Sequence, residues 1–173
     1  MTPLRVVGVM GSSSERHTTR SRRVGVWIAR AGYHLLTGGG PGVMAAVTEA
    51  FVSVTPRIGR AIGVLPADVL RIDGTPPAGY PNPWVEIAIR THLGQLGLQG
   101  DDEASRNHLN VLSSDVIIIL PGGAGTVSEA RLAVRYGRPC IAHLDDRDDM
   151  PGLPDSVPVE PRFEWVQQFV REA

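Results

Sequence analysis

The feature that most constrains this chain is an apolar run that leads directly into a glycine-rich turn. Residues 116–120 read VIIIL and residues 121–129 read PGGAGTVSE. A β-branched run of this length is typical of a strand that is buried on both faces of a parallel sheet. The helix predicted from Thr126 to about Arg135 begins with N–H groups that have no partner inside the helix, and such groups attract anions. The segment therefore predicts a phosphate-binding turn, with Glu129 one turn inside the helix.

Two more turns rich in glycine or serine also follow predicted strands. Residues 11–14 read GSSS after a strand at 5–10, and residues 38–42 read GGGPG after a strand at 34–37. In an open parallel sheet, ligands bind beyond the carboxyl ends of the strands. We therefore expect all three turns to open on one crevice.

Strand-like and helix-like segments alternate along the chain, which is typical of parallel α/β architecture. The predicted strands are 5–10, 34–37, 61–65, 84–89, 115–120 and 139–143, and the predicted helices are 19–31, 43–52, 101–112, 126–135 and 162–172. Residues 66–83 are rich in proline and glycine and are predicted to form an irregular surface segment, and residues 145–161 an acidic loop. No repeat or linker interrupts the pattern. We predict an α/β fold with a doubly wound, mostly parallel sheet, in one domain over residues 1–173.

The composition excludes several kinds of chemistry. All 17 basic residues are arginine, and the chain contains no lysine. A Schiff base to pyridoxal phosphate needs a lysine amine, and the P-loop of nucleotide triphosphatases needs a lysine at its terminal phosphates. A net charge of −1 argues against a nucleic-acid or membrane surface that works by bulk electrostatics.

The remaining composition predicts a cytoplasmic protein without a metal or a resident cofactor. Cys140 is the single cysteine, which fits a reducing compartment, and no apolar run approaches the length of a membrane span. The five histidines show no metal-ligand spacing. The first turn lacks the G-x-G-x-x-G pattern of nicotinamide-binding folds, so an oxidoreductase is disfavoured.

The glycine motifs resemble the two signatures of the LOG family of cytokinin-activating phosphoribohydrolases, which are often misnamed lysine decarboxylases. These are GGGPGVM at residues 38–44 and PGGAGTVSE at 121–129, and the turn at 11–13 is similar to that family's opening turn. The resemblance covers about residues 4–142. It implies a Rossmann-like nucleotide-binding domain, assembled as a homodimer or higher homo-oligomer. It also implies hydrolysis of the N-glycosidic bond of a nucleoside 5′-monophosphate to a free base and ribose 5-phosphate.

The same resemblance implies the site residues. Arg106 and Glu129 fall on the positions of the family's catalytic pair. The residues expected to contact the ligand or its phosphate are Gly11, Ser12, Ser13, Gly39, Gly40, Gly42, Met44, Asn107, Pro121, Gly122, Gly123, Ala124, Gly125 and Thr126. The predicted helices at 103–112 and 126–135 are the place where we look for a partner subunit.

Two features depart from the plant members of the family. Residues 104–107 read ASRN where plant-type members carry Met-His-x-Arg-Lys, and the segment at 66–83 is unlike the compact plant enzymes. Both features look more like a shorter bacterial branch that includes molybdenum-cofactor carrier proteins. Two functions therefore stay open: a phosphoribohydrolase, or a non-catalytic carrier of a phosphorylated, nucleotide-like ligand such as molybdenum cofactor. Neither function predicts a nucleic-acid or membrane partner.

The two candidate catalytic residues each have a structural alternative. Thr126 and Glu129 fit a capping box, in which the glutamate side chain returns to the backbone at the helix start. Arg106 could form a surface salt bridge with Asp102 one helical turn earlier.

Alternatives also stay open for the predicted binding residues. The glycines at 38–42 could serve close packing of the helix on the sheet. Ser12 and Ser13 could cap the first helix, Met44 could belong to the core, and Asn107 could be an exposed helix residue.

Overall fold

The computed structural model describes residues 4–68, 70–71 and 73–173. Six strands form one sheet in which all five pairings are parallel. In chain order they are β1 (Val6–Met10), β2 (His34–Thr37), β3 (Ala61–Leu65), β4 (Ile87–Arg90), β5 (Val116–Ile119) and β6 (Cys140–Ala142). The sheet order is β4-β3-β2-β1-β5-β6. The predicted α/β, Rossmann-like parallel fold is confirmed.

Helices connect the strands and cover both faces of the sheet. They are α1 (Thr18–Arg30), α2 (Val43–Val52), α3 (Asn107–Leu112), α4 (Ala124–Arg135) and α5 (Phe163–Glu172), with short 3-10 turns at Gly97–Gln99 and Arg147–Asp149. None of the helices within the described ranges is long and apolar enough to cross a membrane.

The core consists of two apolar layers, one on each face of the sheet. Ile118 of β5 packs in the layer formed with α1, α2 and α5. Its neighbours Ile117 and Ile119 pack in the layer formed with α3 and α4. Because successive side chains of a strand point to opposite faces, a central strand needs apolar residues at every position. The run VIIIL meets that requirement.

The sheet order places a crevice at the carboxyl ends of β1 and β5. From β1 the chain builds the sheet toward β4 on one side, and it then returns to add β5 and β6 on the other side. The connections after β1 and β5 therefore leave the sheet in different directions, which opens a gap between them. The glycine turns that follow these two strands lie at this gap.

Two predicted element starts are wrong by three residues or more. The helix predicted from residue 101 begins only at Asn107, whose N–H donates to Oγ of Ser105 at 3.2 Å, and residues 101–104 form turns. The strand predicted at 84–89 corresponds to β4, which begins only at Ile87. It begins later because Oδ1 of Asn82 accepts from the Trp84 N–H and holds residues 82–84 in a turn.

The predicted irregular segment at 66–83 is free of helices and strands in its described residues. Val69 and Ile72, which belong to that segment, lie outside the residues that the structure describes.

Candidate functional site

The three predicted turns meet at the carboxyl edge of the sheet, as expected, and the main chain of Ser12 joins them. The Ser12 N–H donates to the Pro121 carbonyl at 3.0 Å, and the Ser12 carbonyl accepts from the Val43 N–H at 2.8 Å. Together the turns border a cavity of about 290 Å³. That volume is close to the lower end of ordinary small-molecule sites, which hold ligands of roughly 300 Å³ and more.

Most of the predicted site residues line this cavity, and a few do not. Those on its wall are Gly11, Ser12, Ser13, Met44, Arg106, Asn107, Gly123, Ala124, Gly125, Thr126 and Glu129. Those away from the wall are Gly39, Gly40, Gly42, Pro121 and Gly122. A ligand contact by this second group stays a prediction.

The start of α4 presents unpaired amide groups to the cavity. Gly123 is the N-cap, no side chain caps the helix, and the first helical bond runs from the Val127 N–H to the Gly123 carbonyl at 3.1 Å. The N–H groups of Ala124, Gly125 and Thr126 thus donate to no acceptor in the part of the chain that the structure describes. A Cβ built on Gly123 would meet no atom within 4 Å. Open space in front of free helix N–H groups is suited to an anion.

Glu129 does not cap this helix. Because α4 begins at Ala124, two residues before the predicted start, the carboxylate lies too far along the helix to reach its N-cap. Instead, Oε1 of Glu129 accepts from Nδ2 of Asn110 at 2.9 Å and lies 3.6 Å from Nη1 of Arg106. The capping-box alternative is therefore wrong.

The second carboxylate oxygen of Glu129 is the one left for a ligand. Both contacts named above involve Oε1, and Oε2 accepts no hydrogen bond from any residue in the described ranges. The residue is only 7% exposed and lies on the cavity wall. Burial raises the pKa of the Glu129 carboxyl, against the opposing effects of the Arg106 charge and the Asn110 amide.

Arg106 is a buried cavity residue rather than a surface one. It is 4% exposed and pairs with Glu129 on α4, so the predicted alternative of a surface bridge to Asp102 is wrong. Nη1 donates to Oδ1 of Asn107 at 2.6 Å. Nη2 lies 3.5 Å from the carbonyl oxygen of Gly38, and Nε is buried without a partner among the described residues. The guanidinium therefore keeps donor capacity for a ligand.

The glycines of the turn after β2 give room to neighbouring site residues. A Cβ on Gly38 would lie 2.7 Å from Cζ of Arg106, and one on Gly40 would lie 2.7 Å from the hydroxyl oxygen of Tyr80. Gly42 has a φ of +67°, and its Cβ would lie 2.6 Å from the carbonyl carbon of Ser13. Real Cβ contacts do not approach so closely, so these three glycines are required by contacts within the protein. The ligand contacts predicted for Gly40 and Gly42 stay predictions.

The alternatives for Ser12, Met44 and Asn107 are also resolved. Asn107 is only 3% exposed, so the alternative of an exposed helix residue is wrong. Oγ of Ser12 accepts from the N–H groups of Ser14 at 3.2 Å and Glu15 at 2.9 Å, so it closes its own turn. It does not cap α1, which begins at Thr18. Met44 is both core and cavity wall, and its sulfur accepts from the Gly40 N–H at 3.4 Å.

Sequence reasoning missed several residues of the site. Tyr80, Leu96 and Gly97 reach the cavity from the loops that flank β4. Nothing in a local pattern places these loops, but Tyr80 is the single aromatic residue of segment 66–83. Asn110 could have been found, because it follows Arg106 by four positions and such pairs share one helix face.

The site geometry can be set beside known proteins. The model of the SLOG cluster4 family matches residues 4–155. An uncharacterised protein from Archaeoglobus fulgidus is 31% identical over 134 residues, which are 76% of this chain and 75% of that protein.

Two solved structures are similar over nearly the whole chain. The molybdenum cofactor binding protein from the phototrophic bacterium Rippkaea orientalis has a TM-score of 0.74 and 28% identity, and the match covers 99% of this chain and 98% of that one. The Moco carrier protein from Chlamydomonas reinhardtii has a TM-score of 0.70 and 26% identity, with 99% and 100% covered.

Proposed function

The chain belongs to the SLOG cluster4 family, within the LOG-like superfamily predicted from its glycine motifs, and we propose that it binds a phosphorylated, nucleotide-like molecule in the cavity at the start of α4. Three features support a phosphate at that place. The first N–H groups of α4 are free, the space in front of Gly123 is open, and the guanidinium side chain of Arg106 lies on the cavity wall. Each supplies room or a donor for phosphate oxygens.

The charge balance of the wall supports the helix start as the main phosphate contact. Arg106 and Glu129 are the only charged side chains among the lining residues in the described part of the chain, and they face each other. Their charges largely cancel toward a distant ligand. The attraction for a dianion therefore comes chiefly from the helix N–H groups, whose partial positive charge is about half a unit.

For the reaction on that ligand, we infer hydrolysis of the N-glycosidic bond of a nucleoside 5′-monophosphate. The observation that carries this step is the free Oε2 of Glu129 on the cavity wall, with Oε1 held by Asn110 and Arg106. A carboxylate with one oxygen fixed and the other free is arranged to orient a water and to take its proton. A pKa raised by burial makes it a better base than a surface glutamate.

In the proposed reaction, water replaces the base at the anomeric carbon of the ribose. The water oxygen bonds to the anomeric carbon while the bond from that carbon to the base nitrogen breaks. Oε2 of Glu129 takes one water proton and returns it to the leaving nitrogen. The guanidinium of Arg106 stabilises the charge that develops on phosphate or ribose.

A carrier is the second candidate, and two observations favour it. The two similar structures named above are a molybdenum cofactor binding protein and a Moco carrier protein. In addition, Glu129 is the single carboxylate among the described lining residues. Glycosidic hydrolysis ordinarily uses two carboxyl groups, one of them as the acid for the leaving group. A ligand of molybdenum-cofactor type would use the same phosphate contacts without reaction.

One experiment separates these candidates. The purified protein is incubated with AMP, released adenine is measured by chromatography, and AMP binding is measured by calorimetry. We expect adenine release by the wild type and its loss in Glu129→Gln, with AMP binding kept within about threefold. Glu164→Gln, at an exposed position on α5, is the matched control and should behave as wild type.

Each of the other possible outcomes would overturn one part of the proposal. AMP binding without adenine release would remove the hydrolase and leave the carrier. Release that persists in Glu129→Gln would remove the assigned base. Absence of binding by AMP and by every other phosphate ester tried would end the proposal that this cavity holds a phosphate.

A further inference from the structure

One aromatic side chain enters the cavity from the segment between β3 and β4. Tyr80 is partly buried and lies on the cavity wall, and it is the single aromatic residue among the described lining residues. The phosphate-binding elements do not require it. The segment between β3 and β4 therefore places an aromatic ring in the cavity that phosphate binding alone does not explain.

The backbone beside Tyr80 is fastened to the glycine turn after β2. The Asn82 N–H donates to the Gly39 carbonyl at 2.7 Å, and Nδ2 of Asn82 donates to the Gly40 carbonyl at 3.0 Å. Asn82 is only 4% exposed. Buried, satisfied amide contacts of this kind hold a loop in one position. The ring of Tyr80 is therefore placed by the fold rather than left to move with the surface.

The ring rests directly on Gly40, next to Met44. A Cβ on Gly40 would lie 2.7 Å from the hydroxyl oxygen of Tyr80 and closer still to its ring carbons. The N–H of the same glycine contacts the sulfur of Met44. Leu96, Val9 and Met10 also line the cavity, so Tyr80 and Met44 belong to the apolar part of its wall. The Tyr80 hydroxyl makes no hydrogen bond to any described residue, so it too is left for a ligand.

We propose that Tyr80 is the contact for a planar heteroaromatic ring, which stacks on the phenol while the phosphate lies at the start of α4. This inference rests on the proposed phosphate site and adds the part of the ligand that the site selects. Tyr80 would make the protein prefer heteroaromatic phosphate esters over plain sugar phosphates. Stacking of a base on an aromatic side chain corresponds to about a 5- to 150-fold gain in affinity.

The test compares two ligands on four proteins. Dissociation constants for AMP and for ribose 5-phosphate are measured by calorimetry on the wild type, Tyr80→Phe, Tyr80→Leu and Tyr80→Ala. We expect Tyr80→Ala and Tyr80→Leu to bind AMP about 5- to 150-fold more weakly, and ribose 5-phosphate within about twofold of wild type. Tyr80→Phe should keep most of the AMP affinity, because the ring is retained. Tyr80→Leu keeps side-chain bulk, so it separates lost stacking from a displaced loop.

The outcomes against the inference differ from those against the phosphate site. Equal affinity of the wild type for both ligands, or equal weakening of both by Tyr80→Leu, would overturn the role of Tyr80 and leave the phosphate site standing. An AMP affinity unchanged in Tyr80→Ala would do the same. A wild type that binds neither ligand would instead overturn the phosphate site itself.

Discussion

Two glycine turns, residues 38–42 after β2 and residues 121–125 after β5, are similar in sequence but have different surroundings in the structure. In the turn after β2, a Cβ on any of Gly38, Gly39, Gly40 or Gly42 would come within 3.0 Å of another atom. In the turn after β5, a Cβ on Gly123 would meet no atom within 4 Å, and one on Gly125 would make only ordinary contact at 3.8 Å. The first turn is crowded by the protein itself, whereas the second is crowded at Gly122 but leaves space at Gly123 and Gly125.

The crowded turn positions the side chains that complete the site. Arg106 lies against Gly38 and Tyr80 lies against Gly40, so both residues reach the cavity only because these glycines have no side chain. The open turn supplies helix N–H groups directly. A glycine-rich motif at a sheet edge can thus serve either neighbouring side chains or a ligand, and only the space in front of each glycine distinguishes the two.

The largest expected effect is on stability, at the crowded turn. Gly42→Ala should destabilise the fold, because its positive φ adds strain of about 1–3 kcal/mol and the close contact with residues 12–14 adds about 1–3 kcal/mol of overpacking. The measurement is urea unfolding followed by circular dichroism. Gly137→Ala is the matched control, because Gly137 also has a positive φ but no atom lies within 4 Å of the added Cβ. This variant should therefore be destabilised by the backbone strain alone. An equal decrease in the free energy of unfolding in both variants would show that crowding around Gly42 does not contribute to the destabilisation.

The second effect is on binding, at the open turn. Gly123→Ala should leave the unfolding midpoint within error of wild type, because its φ of −102° suits alanine and the new methyl meets no protein atom. The methyl would occupy space assigned to phosphate and disturb charge-assisted hydrogen bonds of about 1.5–3 kcal/mol each, which weakens AMP binding about 10- to 150-fold. Calorimetry measures the binding.

Gly122→Ala provides the contrast one residue earlier. Its Cβ would lie 2.9 Å from the backbone nitrogen of Ser12, so this variant should lose stability. A Gly123→Ala variant that folds normally and binds AMP as tightly as wild type would remove the functional difference between the two turns.

Sequence patterns predicted the layers of this fold well because those patterns are local. All six strands were predicted, and α2 and β3 agree with the structure to the residue, since each is an apolar run or periodic segment bounded by glycine or proline. The start of α3 was mispredicted because an acidic cluster at 101–103 is typical of a helix start. In the protein, the helix begins at Asn107, whose N–H donates to Oγ of Ser105, and Nη2 of Arg106 lies near the Gly38 carbonyl.

The site was predicted less completely, for a different physical reason. The motif GGGPG identifies positions without side chains, but it does not predict which neighbouring groups occupy the space beside those glycines. That depends on contacts between distant segments, such as Asn82 on the carbonyls of Gly39 and Gly40. The position of Tyr80 follows from those contacts, so no local pattern could predict it. Glu129 was ambiguous for the same reason, because its partner Asn110 lies on another helix.

The smallest expected effect is a pH dependence that links the two turns through their ion pair. Arg106 rests on the crowded turn and Glu129 follows the open one, and burial raises the pKa of Glu129 despite the arginine. Between the ordinary carboxyl pKa and this raised value, the folded state holds more protons than the unfolded chain, so stability falls as pH rises, by at most about 1.4 kcal/mol per pH unit for one group. The free energy of unfolding of the wild type minus that of Glu129→Gln, measured in urea from pH 4 upward, should therefore decrease with pH. An increase with pH would mean that Arg106 outweighs burial and holds the carboxylate ionised, and the two turns would then be joined by a stabilising charge pair instead of a costly one.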